Sequence, residues 1–351
     1  MLVMSPILAL AALAATGAVA RPQLSTRNND NKAVARGDNR IPVDYNPYDG
    51  GEKAPEVNSP SGLSRDIATH KVHSHNDYWR DVPLYSSLSH GILSVEADVV
   101  LNPKESKLYV AHNVASLTKA RTFKHLYVDQ LVKVLERANV EDEQTVFFDQ
   151  TDFYSQTNER DVPRASFFDG SSEPIQVLVD IKSHGLDTFD VIMEELEPLR
   201  ERDWLTKWNG TDIIPGPVKI ILTGNGNNPE VRALVAPKHE RDYFIDAPLF
   251  HLNETWTGVD GLEYGWNSTL SPLASASYNS LTSWKGRTPI NETEETRVQA
   301  IIDDVHARGF ETRFWSPPRW PVFAREEIWK TLLQLGSDWL DADDIADAAA
   351  F

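Results

Sequence analysis

Cysteine is missing from this 351-residue chain altogether. The fold therefore cannot lean on disulfides, and a chain of this length can bury a sufficient core without them. Basic residues are scarce too: 34 lysines and arginines face 52 aspartates and glutamates, for a formal net charge of −18. A surface that acidic repels nucleic-acid phosphates, and no basic stripe reverses it, so nucleic acid is excluded as a partner. Beyond residues 1–20 no apolar run approaches the length of a membrane span, so no stable span is expected. Internal repeats and low-complexity tracts are absent as well.

What is present begins at the N-terminus. Residues 1–20 are apolar, rich in alanine and leucine, and end in Ala18, Val19 and Ala20, a small-x-small cleavage pattern. They read as a secretory signal peptide, although no basic residue precedes the apolar run. As an uncleaved anchor the segment is too short and too alanine-rich. Four Asn-x-Ser/Thr tripeptides, at Asn209, Asn253, Asn267 and Asn291, point to a secreted, extracellular glycoprotein. Residues 21–64 are polar and bury too little apolar surface to offset ordering, so they are expected to form a disordered leader.

From residue 65 the pattern changes. Strand-like runs at 71–75, 93–101, 177–181, 218–223, 243–246, 274–278, 312–315 and 339–342 are mostly separated by segments of helical spacing. One such segment carries Val298, Ile301, Ile302 and Val305 and stops at Gly309; another carries Ile328, Leu332 and Leu335 and stops at Gly336. Alternation of this kind predicts an α/β fold, a single (β/α)8 TIM barrel over residues 65–351, with a doubly wound open sheet as the competing architecture. Residues 151–174 are polar and unpatterned, and read as a long loop over one face.

The run 93–101 is unusual because an apolar strand carries Glu96 and Asp98. Side chains alternate across a strand, so the two acids share one face while Val95, Ala97 and Val99 share the other. Like charges held close in an apolar setting call for a proton or a cation. An exposed edge strand with an acidic outer face would remove the need for either. The other strand ends decide between these readings, because the active site of a parallel barrel lies at their carboxyl ends. His75 ends the first run, Asp180 and Lys182 share a face of the third, and His112 follows a short excursion after Asp98. Glu96, Asp98 and Asp180 make a hard oxygen cage of the kind Mg²⁺ or Ca²⁺ accepts. Two imidazoles beside it can act as acid and base, and Lys182 can neutralise a phosphate oxygen.

The series His75, Glu96-x-Asp98, His112, then Val179-Asp180-Ile181-Lys182 resembles the phospholipase C-like phosphodiesterases, which include glycerophosphodiester phosphodiesterases and sphingomyelinase D. The segments HSHNDYWRDVPLYSSL, GILSVEADV, KLYVAHN and GSDWLDADDI are closer still to the fungal family called altered inheritance of mitochondria protein 6. This resemblance covers residues 71–344. It implies a phosphoric diester hydrolase acting on a glycerophosphodiester or lipid-derived diester, with His75, His112 and Lys182 as catalytic residues. It further implies that Glu96, Asp98 and Asp180 hold Mg²⁺, and that Asn76 and Trp315 meet the substrate. In some of these relatives a neighbouring substrate hydroxyl attacks phosphorus, so a cyclising reaction is the variant to test.

Two departures stand out. His75 is followed by Asn76-Asp77 rather than Arg-Gly, and no Glu-Asn-Thr motif occurs, so the phosphate-binding arginine is missing from its family position. Two rival readings follow from single features. His73 and His75 resemble the His-x-His of amidohydrolase-type zinc barrels, though that chemistry needs further histidines at later strand ends. A barrel that binds a lipid or other ligand without turnover is the non-enzymatic alternative. Asp341 and Asp343 read as helix-capping or solvent-facing acids.

Overall fold

The computed structural model describes residues 67–138 and 173–351. The signal segment, the leader and all but the last two residues of the 151–174 insertion lie outside the described residues. Each of the eight expected strands forms, with ends shifted by one or two residues, and two further short ones, Lys107–Val110 and Ala247–Pro248, join them. They are β1 (His70–Ser74), β2 (Ile92–Asn102), β3 (Lys107–Val110), β4 (Ile175–Ile181) and β5 (Val218–Gly224). There follow β6 (Phe244–Ile245), β7 (Ala247–Pro248), β8 (Leu273–Ser277), β9 (Glu311–Trp315) and β10 (Leu340–Ala342).

The architecture is mixed α/β around a large parallel sheet. Its strands run in the order β10-β1-β2-β4-β5-β6, all parallel, with β3 folded back antiparallel onto the end of β2. A second parallel sheet has three strands, β9-β8-β7. Two small antiparallel pairs, Lys207–Trp208 with Ile213–Ile214 and Thr255–Thr257 with Glu263–Gly265, stand apart from both, and no closed ladder joins all strands among the described residues. A strand is parallel to its neighbour only when the chain crosses back between them. The helical segments make those crossings: Gly185–Glu195 between β4 and β5, Pro229–Val235 after β5, Glu292–Ala307 before β9, and Val322–Gln334 before β10.

Burial decides the fate of the acid-bearing strand. β2 lies between β1 and β4, not at an edge, so the acidic-edge reading falls. Val95, Ala97 and Val99 are fully buried in the main apolar cluster, together with Val177, Val179, Ile181, Ile220 and Leu222 from β4 and β5. Phe189 and Ile192 of the 185–195 helix join the same cluster. Burying each such side chain contributes about 1.5–3 kcal/mol, which is what holds the sheet in register. The opposite face of β2 presents Glu96 and Asp98, both buried. Parallel pairing of β2 with β4 covers Ser94–Val99 and ends where β2 turns into its hairpin with β3. The acids therefore sit near the carboxyl end of the shared ladder.

Helix ends follow local chemistry. Asn291 caps Glu292–Ala307 by accepting the Glu294 N–H at 2.9 Å, and three glutamates in the first turn suit the positive end of the helix dipole. No helix among the described residues is long and apolar enough to cross a membrane.

Candidate active site

Asp98 and Asp180 are direct partners across the β2–β4 ladder, so their side chains start from adjacent positions on one face. Glu96 stands two residues earlier on the same face. One oxygen from each of the three lies within 4.8 Å of the others, the sole such group of possible metal ligands among the described residues. Asp98 Oδ1 and Asp180 Oδ1 are buried without any hydrogen-bond partner. Their Oδ2 atoms are busy instead. Lys182 Nζ lies 2.6 Å from Asp180 Oδ2 and 3.2 Å from Asp98 Oδ2. The Tyr78 hydroxyl donates to Asp98 Oδ2 at 2.9 Å, and His112 Nδ1 stands 3.0 Å from the same atom.

This arrangement is short of positive charge. Burial pushes the Glu96 carboxyl up to about 7, with Asp98 adding to the rise while Arg313 and His75 oppose it. Burial also raises Asp180, and the Lys182 ammonium only partly offsets it. Orphaned, buried, all-oxygen donors fit a hard divalent cation. Gly224 protects the geometry: at φ +60° it passes so close that an added Cβ would lie 2.0 Å from Asp180 Oδ1. Any side chain there would displace the carboxylate.

His75 follows β1 directly. Its Nδ1 lies 2.9 Å from Asp343 Oδ1, which orients the ring and leaves Nε2 for the cavity. Burial works against the charged imidazole, but the hydrogen bond to Asp343 and the fields of Asp341 and Glu96 raise its pKa above the ordinary value. Asp343 moves the other way: burial opposes its charge, yet His75, Asn76 and Arg319 hold its carboxyl below the usual range. Asn76 is left-handed at φ 52° and ties the region together. Its N–H donates to Glu96 Oε2 at 2.7 Å, its Oδ1 accepts from Tyr78 at 2.7 Å, and its Nδ2 donates to Asp343 Oδ1 at 3.3 Å.

These residues open on one cavity of about 810 Å³. Its walls include all eight of the catalytic, metal-holding and substrate-contact candidates: His75, Asn76, Glu96, Asp98, His112, Asp180, Lys182 and Trp315. His112 is the more open imidazole, with its side chain 55% exposed and its ring edge-on to Trp79 at 6.2 Å. Trp315, at the end of β9, is 41% exposed at the rim. The cavity also reaches Arg313, Asp246 and Arg319.

Sequence reasoning missed several partners. Asp343 neither caps the last helix nor simply faces solvent; it holds His75, and the cap is Asp344, whose Oδ1 accepts the Asp347 N–H. Asp341 is buried and accepts Arg313 Nε at 3.0 Å. Both acids stand in the strand-end run Asp341-Ala342-Asp343, a signal that marks position but not partner. Tyr78 lies in the segment HSHNDYWRDVPLYSSL, but nothing there marks it as the donor to Asp98. His73, by contrast, leaves the site. It is fully buried, bonds Ser94 Oγ through Nδ1 at 2.7 Å, and neither lines the cavity nor belongs to the metal-capable group. His184 and His251, the later histidines a zinc site would need, pair with Asp187, Glu230 and Glu254 at the surface.

Comparison with known proteins adds an independent line. Residues 61–246 match the family described as the AIM6-like phosphodiesterase domain. The chain is 33% identical over 311 residues to an altered inheritance of mitochondria protein 6 homolog of Arthroderma benhamiae, covering 86% of this chain and 89% of that protein. It is 31% identical to altered inheritance of mitochondria protein 6 of Eremothecium gossypii, over 85% of this chain and 73% of that one. The Saccharomyces cerevisiae protein of the same name is 31% identical over 82% of this chain and 72% of its own length. No solved structure gives a significant match.

Proposed function

The chain belongs to the AIM6-like phosphodiesterase family, and from that premise we propose that it is a metal-dependent phosphoric diester hydrolase. One observation carries the reading: three carboxylates, two of them with an orphaned buried oxygen, share a cavity with two oriented imidazoles and a lysine. The substrate is a small or lipid-derived phosphodiester.

Glu96, Asp98 and Asp180 would hold Mg²⁺, or Ca²⁺ in its place. When bound, the ion would polarise a phosphoryl oxygen as a Lewis acid. The rest falls to side chains of this chain. His112, with Nδ1 turned to Asp98, offers Nε2 as the base that takes the proton of the attacking hydroxyl. The new oxygen–phosphorus bond forms as the ester bond opposite breaks. His75, kept protonated by Asp343, gives its proton to the departing oxygen. Lys182 stabilises negative charge on a non-bridging oxygen. Trp315 packs on the organic arm, and Asn76 holds His75, Glu96 and Asp343 in relation to one another. With water as nucleophile the products are a monoester and an alcohol; a neighbouring substrate hydroxyl gives a cyclic phosphate.

The same proposal includes closure of the sheets into a (β/α)8 barrel. Only Asp246 separates β6 from β7, and a parallel bridge between Arg313 and Trp339 links β9 to the residue before β10. Secretion and N-glycosylation also belong to it. Asn253, Asn267 and Asn291 are exposed, and Asn209 is half-buried. Loss of mass on treating the secreted protein with an N-glycosidase checks this.

The test of function is cleavage of bis(p-nitrophenyl) phosphate with Mg²⁺, abolished by chelation. His75→Ala should cost about 10²–10⁴-fold in rate, and Asp180→Ala should remove both activity and bound metal. Retention of full rate by His75→Ala sinks the assignment, and tight ligand binding without turnover by the native protein favours a binding role. Phosphorus NMR of the products separates hydrolysis from cyclisation.

A further inference from the structure

Asp246 is a buried carboxylate in the cavity wall that the proposed reaction does not use. It lies between β6 and β7, is only 5% exposed, and lines the cavity wall. Thr223 Oγ1 donates to its Oδ2 at 3.1 Å, and Asn227 Nδ2 donates to its backbone carbonyl at 2.7 Å, which fixes the residue at both ends. Its Oδ1, however, is buried without a hydrogen-bond partner. The hydroxyl of Ser275 faces the same carboxyl, and it too forms no hydrogen bond of ordinary geometry.

Asp246 stands outside the metal-capable group of Glu96, Asp98 and Asp180. The strand order explains its separation. Asp180 pairs with Thr223 across β4 and β5, and Thr223 in turn anchors Asp246, so the acid sits beyond the phosphate cage on the same rim. A buried acceptor left empty costs stability unless a ligand fills it. The adjacent Arg313 guanidinium, itself held by Asp341, already supplies positive charge nearby. A neutral hydroxyl therefore suits the vacancy better than an ammonium group. Asp246 Oδ1 accepts its proton, and Ser275 can donate to its oxygen.

We propose that Asp246, with Ser275, recognises a free hydroxyl on the alcohol arm of the substrate. This makes Asp246 a specificity-determining residue and the substrate class a hydroxylated phosphate ester. The inference rests on the phosphodiesterase reading above and narrows it.

The experiment compares pairs of inert phosphate monoesters that differ by one hydroxyl. They are 2-hydroxyethyl phosphate against ethyl phosphate, and 3-hydroxypropyl phosphate against propyl phosphate. Calorimetric titration of the full-length protein with Mg²⁺ measures all four. The native protein should bind at least one hydroxylated ester about 10-fold or more tighter than its plain partner, as expected for a hydrogen bond to a charged group. Asp246→Ala should erase that preference while leaving the plain ester's affinity within about 3-fold. Ser275→Ala, a gentler change, should reduce it in part. Equal binding of both members of each pair overturns the inference and leaves the phosphodiesterase reading standing. An equal loss on hydroxylated and plain esters in Asp246→Ala also overturns it, placing the residue at the phosphate. Should Asp246→Ala fail to fold, an unchanged preference in Ser275→Ala and Thr223→Val counts against it. Absence of any phosphate binding, together with no cleavage of bis(p-nitrophenyl) phosphate, removes both.

Discussion

Two charged clusters meet at one cavity, the first through Arg313 alone, and solve opposite problems. Arg313 and Asp341 are both buried, and Asp341 Oδ2 receives Nε and a terminal nitrogen of Arg313, each at 3.0 Å. Asp341 Oδ1 accepts the Ser316 N–H. Both Asp341 oxygens are thereby partnered, while the guanidinium also faces Glu96 and Asp246. Glu96, Asp98 and Asp180 bring three acids against one lysine, and two of their buried oxygens find no donor. A protein bears such a deficit where a ligand makes it good. Equal burial thus separates into a partnered pair that supports the fold and an unsatisfied group poised for a cation.

Breaking each cluster should expose the difference. Asp341→Ala takes from the buried Arg313 guanidinium its hydrogen-bonded carboxylate, and should destabilise the protein by about 3–5 kcal/mol in urea denaturation. Asp180→Ala should behave otherwise in chelator. It removes an acid whose charge burial already penalises, and Lys182 keeps Asp98 at 3.2 Å, so stability should change by less than about 1 kcal/mol. Equal losses in the two variants would mean that the acid trio is a structural cluster like its neighbour.

Mg²⁺ sharpens the same contrast. A ligand present at 100 times its dissociation constant stabilises by about 2.7 kcal/mol. The native protein should gain about that much stability, read as a raised melting temperature in calorimetry, and Asp341→Asn, if folded, should keep the rise. Asp180→Asn should lose it. A shift that survives in Asp180→Asn would place the ion elsewhere.

The strands were legible because their apolar runs are short, separated, and bounded by polar strand ends, so the eight positions follow from hydropathy alone. Glu96 and Asp98 were legible for the same reason: acids inside an apolar run violate the pattern, and the violation marks the site. Which strands neighbour one another is not written in any local window, and closure of the sheets still stands as a proposal. Partner choice was equally hidden. Asp343 and His75 lie 268 residues apart in sequence and 2.9 Å apart in space. Asp341 and Asp343 occupy equivalent places in the sequence pattern, yet one meets a fixed cation and the other a titratable ring. That distinction depends on whether Arg313 or His75 arrives opposite, which only the β9-β10-β1 arrangement settles.

His75 and His112 offer the finest form of the comparison. Each gives Nδ1 to an aspartate, but His75 is largely enclosed while His112 is mostly open. The Asp343 bond raises the His75 pKa against the effect of burial. A group raised in the folded state contributes stability that is present below its unfolded pKa and lost as pH rises through the folded one. Asp343, lowered by the same bond, contributes above its unfolded pKa and loses that as pH falls through the folded value. Their pairing therefore acts between the two, on the mildly acidic side of neutrality. Asp343→Asn should remove the stabilising charge and let burial pull the imidazole down. In the pH profile of kcat/KM, the limb at which His75 loses its proton should move to lower pH. The rate at the optimum should fall about 10-fold, less than the roughly 10²–10⁴-fold a positioned acid supplies, because His75 itself remains. His112 is held by a different aspartate, Asp98, so its hydrogen bond is untouched by the change. A profile displaced as a whole would mean that Asp343 sets the field of the whole cavity rather than the proton on one ring.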